Sequence, residues 1–348
     1  MFEISKGINL SHWLSQVFGW SPRDKFITQS DIHFLAQAGF DHVRIPIDEE
    51  QMWCANGEKN IPAFADLHRC IDWCLQENLR VVVDLHILRS HHFNAGNNEG
   101  AMTLWDTPEH QDGMIHLWQQ LSAELSHYPL DMLAYEFMNE PVAPKHSMWN
   151  ALVARGHAAI RELEPTRTLI FGPNMWQFPQ FFPKFRVPEN DLNIILSFHT
   201  YDPLPLTHYK AYWMPLGAYN GPVQYPGNTI SDEHFAEFER ATKGDRVLDI
   251  IARNRYYSKE TFVSIIAPAL AFAKQTKLRL YCNEFGCLPS VSREDRLRYF
   301  SDIIDVFQSH GIAYASWDYK GDFGIVSWDR NEYVNGVEDF EVIQILTR

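Results

Sequence analysis

Apolar residues recur along the chain in two alternating rhythms. One is the short continuous run. Ile4–Leu10, His42–Ile47, Leu79–His86, Leu133–Asn139, Thr168–Phe171, Leu192–His199, Leu278–Glu284 and Ile312–Trp317 each read as a buried strand. The other is three- and four-residue spacing, the mark of one helix face. It appears in Phe64, Leu67, Ile71, Cys74 and Leu75, in Met114, Leu117, Trp118, Leu121 and Leu125, and in Phe262, Ile265, Ile266, Ala269 and Ala273. Further helices are predicted at Asp31–Ala38, with Ser30 as N-cap and Gly39 just past its end, and at Met148–Leu163. Ser292 and Asp295 resemble a capping box opening a helix through Leu297, Phe300, Ile304 and Phe307, and a last helix is predicted near Val337–Leu346.

Eight strands, almost all followed by helices, fit one (β/α)8 TIM barrel spanning residues 1–348 as a single domain. An open doubly wound sheet would usually carry a Gly-rich turn after its first strand, and Gly7 to Gly19 offers none. Two stretches exceed ordinary loop length: Ile87–Pro108 after the third strand and Asp202–Tyr257 after the sixth. The second holds Tyr209, Tyr212, Trp213, Tyr219, Tyr225, Tyr256 and Tyr257, too aromatic for a solvated linker. Both fall on the side where barrel chemistry sits.

Candidate chemistry collects at the carboxyl ends of the predicted strands. Arg44 lies near the end of the second, His86 ends the third, and Asn139 and Glu140 follow the fourth. His199 and Tyr201 close the sixth, Glu284 the seventh and Trp317 the eighth. Pro141 cannot donate to a sheet ladder, so the fourth strand must stop beside Glu140. In a barrel these ends converge on one pocket. Any one of the residues has a plain structural reading: Arg44 paired with Asp48, His86 and His199 as satisfied core histidines, Trp317 as packing. Six of eight strands ending in suitable residues argues for a site.

Two carboxylates in one cleft suit glycoside hydrolysis, one protonating the leaving oxygen and the other attacking carbon or activating water. Arg44 beside one glutamate would hold it ionised, while burial would keep the other protonated. Asn139 suits a hydrogen bond to a sugar 2-hydroxyl, and Trp317 an apolar floor under a sugar ring.

Composition narrows the partners. The 348 residues are 45% hydrophobic and carry a net charge of −14, which disfavours nucleic acid as a partner. Aromatics make up 14%, a surplus that suits stacking on sugar rings. No apolar run approaches the length of a membrane span, and no signal-like segment follows Met1. The expectation is a monomeric cytoplasmic protein, or a secreted or periplasmic one if a signal was trimmed. Cys54, Cys70, Cys74, Cys282 and Cys287 lack zinc-ribbon spacing, and the chain lacks H-E-x-x-H and G-x-S-x-G, so no metal or cofactor is expected.

The ordered motifs resemble glycoside hydrolase family 5, the retaining (β/α)8 glycosidases that include cellulases and mannanases. The matching pieces are Gly7-Ile8-Asn9-Leu10, Val43-Arg44-Ile45-Pro46-Ile47, Asp84-Leu85-His86, Asn139-Glu140-Pro141, His199-Thr200-Tyr201, Glu284-Phe285-Gly286 and Trp317. The resemblance implies Glu140 as acid/base and Glu284 as nucleophile. It implies that Arg44 and Tyr201 orient Glu284 and keep it ionised, that His199 lies near Glu140, and that His86, Asn139 and Trp317 line the subsite of the cleaved sugar. The chain departs from many relatives in Ile87 to Asn94, where a Pro-Gly turn would follow Asp-Leu-His, and in its long insertion after the sixth strand. Thr207-His208 to Trp213 and Tyr225-Pro226-Gly227 resemble an insertion seen in some members, which places Trp213 against a sugar beyond the cleaved bond or within the insertion's own packing. The expected activity is endo-β-1,4-glucanase, with β-mannanase and exo-acting β-glucosidase as alternatives. From another class stands a non-catalytic sugar-binding barrel.

Overall fold

The computed structural model describes residues 1–17, 22–94, 100–241 and 254–348. Parts of both long predicted loops lie outside the described residues.

Eight parallel strands close into a barrel: Lys6–Asn9, His42–Asp48, Arg80–Ile87, Leu133–Glu136, Leu169–Phe171, Ile194–His199, Arg279–Phe285 and Ala313–Ser316. Each pairs with its neighbours in sequence, and the first pairs with the eighth. All eight strands lie where apolar runs predict them, most of them trimmed by a few residues, while His42–Asp48, Arg80–Ile87 and Arg279–Phe285 each run one residue further at the carboxyl end. The fourth is assigned only to Glu136, but ladder-like bonds continue: Phe137 N–H donates to Ile170 O at 3.1 Å and Asn139 N–H to Leu85 O at 3.1 Å.

The strand pleat sorts the barrel interior into layers. Val82, Ala134, Ile170, Ile195, Tyr281 and Ala315 form one apolar layer, closed at the bottom by Phe2. Side chains two residues further along a strand point to the same face. Asp84, Glu136 and Asn283 therefore sit directly above Val82, Ala134 and Tyr281, and all three are fully buried. The sequence thus places polar groups inside the barrel, one layer below its carboxyl end.

Helices wrap the outside, among them Ile61–Gln76, Pro108–Leu125, His146–Leu163, Lys259–Thr276 and Arg293–Ser309. Two predicted ends need correction. The helix expected from Asp31 starts at Gln29, because Thr28 and not Ser30 caps it, in a reciprocal box with Asp31. The last helix runs Phe340–Thr347, and Val334–Glu338 instead pairs with Val326–Asp329 as a hairpin. Val334 and Val337 are β-branched residues that favour a strand, and Asp339 caps the helix that follows.

The insertion after the sixth strand is structured where described. It contains helices Leu204–Thr207 and Asp232–Ala241 and a two-residue ribbon pairing Gly227–Asn228 with Tyr256–Tyr257. Its Tyr209, Tyr219, Tyr225 and Tyr257 are buried, so most of its aromatics hold it together. No helix among the described residues is long and apolar enough to cross a membrane.

Candidate active site

Arg44 is the hub of the carboxyl end. It is fully buried, and all five of its N–H groups are used. Nε and Nη2 grip Glu136 at 2.7 and 2.9 Å, Nη1 reaches Asn9 Oδ1 at 2.9 Å and Glu284 Oε1 at 2.7 Å, and Nη2 reaches Asn139 Oδ1 at 2.9 Å. Asp84 Oδ2 also lies 2.9 Å from Nη2. One cation thus faces three carboxyl groups, and they cannot all ionise cheaply. Burial pushes Asp84 and Glu136 up to about 7, with Arg44 opposing in each case. The alternative of a pairing between Arg44 and Asp48 is not what forms.

Two fixed proton patterns follow from this hub. Asn139 turns its oxygen to Arg44, so its Nδ2 faces His86 Nε2 at 3.4 Å. His86 gives its Nδ1 proton to Asp84 at 2.7 Å and offers the Nε2 lone pair to the amides of Asn139 and Gln16, the latter at 3.1 Å. Burial drives the His86 pKa well down, so the ring stays neutral. Trp317 stacks on that ring, with centroids 5.5 Å apart and planes 11° apart. The approach of Trp317 to the seventh strand requires glycine at 286, since a Cβ there would meet Trp317 O at 2.3 Å.

Glu284 and Glu140 share the pocket but not their surroundings. Glu284 receives Arg44 on Oε1 and the Tyr201 hydroxyl on Oε2 at 3.1 Å. Glu140 Oε1 meets His199 Nδ1 at 2.9 Å, and the same nitrogen lies 3.6 Å from Glu284 Oε2. Burial raises both carboxyls. At Glu284 the Arg44 guanidinium pulls back down, whereas at Glu140 the Glu284 charge pushes further up. Glu140 is therefore the one that keeps its proton longer. His199 is held neutral by burial and by the nearby Arg44 charge.

One oxygen from each carboxyl and one His199 nitrogen lie within 4.8 Å of one another. Two carboxyls whose oxygens approach this closely suit the roughly 5 Å spacing of retaining glycosidases. A divalent cation could also span such a triad. Arg44 already supplies the positive charge at Glu284, so a second cation there would meet like-charge repulsion.

The sequence-predicted residues Arg44, His86, Asn139, Glu140, His199, Tyr201, Glu284 and Trp317 thus come together in one contact network. Trp213 sits apart from the carboxyls. It is half-buried, against the apolar cluster of Trp317, Phe323, Leu288 and Ala211. Both its stacking and its packing reading start from this place on the rim. Beside His199 and Tyr201, a cavity of ≈ 390 Å³ is also lined by Phe178, Thr200, Arg255 and Tyr257. Sequence reasoning missed Asn9, Glu136 and Asn283 as members of the network. The available signal was a polar residue inside an apolar run, as in Tyr135-Glu136-Phe137, at inward pleat register.

Comparison with known proteins agrees with this geometry. The family model for cellulase (glycosyl hydrolase family 5) matches residues 3–322. "Endoglucanase C" of Acetivibrio thermocellus is 32% identical over all of this chain and 99% of its own length. "Cellodextrinase A" of Ruminococcus flavefaciens is 27% identical over 89% of this chain and 84% of its own. Among solved structures, Thermotoga maritima Cel5A in complex with mannotriose superposes with a TM-score of 0.74 at 22% identity, covering 99% of this chain and 97% of that one.

Proposed function

Because the chain belongs to glycosyl hydrolase family 5, we propose that it is a retaining endo-β-1,4-glucanase in which Glu284 attacks and Glu140 transfers the proton. The observation that carries the assignment of roles is the unequal dressing of two carboxyls within 4.8 Å. Arg44 and Tyr201 stabilise a carboxylate at Glu284, while neutral His199 attends Glu140.

Glu284 adds to the anomeric carbon as Glu140 gives its proton to the departing oxygen. The covalent glycosyl ester then yields to a water that Glu140, now ionised, deprotonates. Glu140 can act twice because the charge on Glu284 vanishes when the ester forms. The repulsion that raised the Glu140 pKa then disappears, and the carboxyl releases its proton more readily. Asn139 and His86, locked by Arg44 and Asp84, face the sugar being cleaved, Trp317 floors it, and Trp213 contacts a sugar further along the chain.

The pH dependence follows with a definite sign. Activity needs Glu284 ionised and Glu140 protonated. kcat/KM should rise as pH climbs through the lower apparent pKa of the pair and fall through the upper one. Burial lifts both groups, so both limbs should lie above the ordinary glutamate value, and the upper limb should vanish in Glu140→Gln. A pH–rate profile on a soluble glucan checks this.

Substrate and mode of action are tested with carboxymethylcellulose, mixed-linkage β-glucan and mannan, following viscosity and reducing ends together. The endoglucanase reading expects the glucans to be preferred and viscosity to fall well ahead of reducing-end release. Preference for mannan, or viscosity falling only in step with reducing ends, would move the assignment to a mannanase or an exo-acting enzyme. No turnover on any β-glycan would favour a sugar-binding barrel.

A further inference from the structure

Glu140 sits on a backbone that needs holding. Its φ is +42°, a left-handed conformation that residues with a side chain rarely adopt. The loop after the fifth strand grips this segment at successive points. Asn174 accepts from Ala143 N–H at 2.8 Å and donates back to Ala143 O at 2.9 Å. Met175 and Trp176 both donate N–H to Pro141 O, at 2.8 and 3.3 Å. Gln177 Oε1 accepts the N–H of Glu140 itself at 2.9 Å.

Gln177 is fully buried, and its amide has one possible orientation. A backbone N–H can only donate, so the atom facing Glu140 must be the oxygen, and Nε2 then donates to Ser197 Oγ at 2.7 Å. The Gln177 carbonyl accepts the N–H of His199 at 3.2 Å. One residue therefore ties the Glu140 backbone to the sixth strand, next to the histidine that touches the Glu140 carboxyl. Space beneath the amide is reserved for it: a Cβ at Gly172 would lie 2.6 Å from the Gln177 side chain.

We propose that Gln177 is a positioning residue for proton transfer, setting the Glu140 carboxyl at the distance from the leaving oxygen that general-acid catalysis requires. This rests on the reading of Glu140 as acid/base. Proton transfer demands a heavy-atom separation of about 2.6–3.2 Å, and displacement of about 1 Å can cost about 100-fold. Glu284 is held independently by Arg44 and Tyr201, so loosening Gln177 leaves attack intact and weakens protonation.

The test compares leaving groups. Gln177→Leu removes the acceptor at nearly constant shape. kcat/KM is measured on 2,4-dinitrophenyl β-cellobioside, which departs without a proton, and on phenyl β-cellobioside, which needs one. The expected result is a fall of about 10- to 100-fold on the phenyl substrate and less than about threefold on the dinitrophenyl one. Gln177→Glu presents an oxygen to the Glu140 N–H in either protonation state, so it should restore most of the loss. Should Gln177→Leu not fold, Ser197→Ala frees the far end of the amide and should give the same selectivity at about 3- to 10-fold. Equal losses on both substrates, or none, would overturn the proposal. Glu140→Ala run alongside separates the two claims. If it lacks leaving-group selectivity, the role of Glu140 falls. If it has the selectivity and the Gln177 variants do not, only the role of Gln177 falls.

Discussion

Glu284→Gln should lower kcat by about 10,000-fold or more, roughly 5.5 kcal/mol of transition-state stabilisation, on every substrate regardless of leaving group. The amide keeps an oxygen for the Arg44 guanidinium 2.7 Å away, so the network and the fold should survive. The thermal midpoint should stay near that of the wild type or rise, because a carboxyl that is costly to bury is removed. The same substitution removes the charge that raises Glu140, so the Glu140 pKa should fall. Steady-state kinetics with a melting curve checks the first part, and NMR titration of the remaining carboxyl checks the second. A loss limited to poor leaving groups would instead mark Glu284 as the proton donor.

The second large effect is on stability. Arg44→Met leaves Asp84, Glu136 and Glu284 facing one another without a cation in a buried layer. Removing one partner of a buried ionic cluster costs about 3–5 kcal/mol, a large share of a domain's net stability. The pH dependence has a clear sign. Asp84 and Glu136 titrate at about 7 in the folded protein, above ordinary unfolded carboxylates, so the folded state binds more protons than the unfolded. Stability from these groups is complete at low pH and falls as pH rises through the window from about 4 to about 7. Without Arg44 that window should extend further upward. Urea melts between pH 5 and 8 should show Arg44→Met losing stability toward high pH more steeply than the wild type. Equal pH slopes would mean that these carboxyls do not depend on Arg44. Activity should vanish as well, because Glu284 and Asn139 both lose their anchor.

The barrel was legible because each buried strand is an apolar run between helical stripes, and this pattern survives without any tertiary information. The site was legible for a related reason. His86, Glu140, His199, Glu284 and Trp317 are polar or aromatic residues where apolar runs stop, and closure brings all such ends together, while Arg44 stands inside the second strand as a charge in an otherwise apolar run. The layer beneath was harder to read. Glu136 and Asn283 lie inside their runs, and only the inward register shared with Ala134 and Tyr281 reveals that Glu136 meets Arg44 and that Asn283 donates to Glu136. Gln177 left no signal, since its partner is 37 residues away and the contact depends on a left-handed turn through residues 175–177. Trp213 shows the limit for long insertions. Its aromatic neighbours predict burial of the segment, but its place on the rim beside Phe323 comes from tertiary packing alone.

The most direct test of the account is to trap the covalent intermediate. A 2-deoxy-2-fluoro β-cellobioside with a good leaving group slows breakdown of the glycosyl ester more than its formation, and mass mapping of the digested enzyme locates the sugar. The account predicts one sugar per chain, on the peptide that carries Glu284, and no labelling of Glu284→Gln. A label on the peptide that carries Glu140, or release of product with inverted configuration and no trapped enzyme, would contradict it.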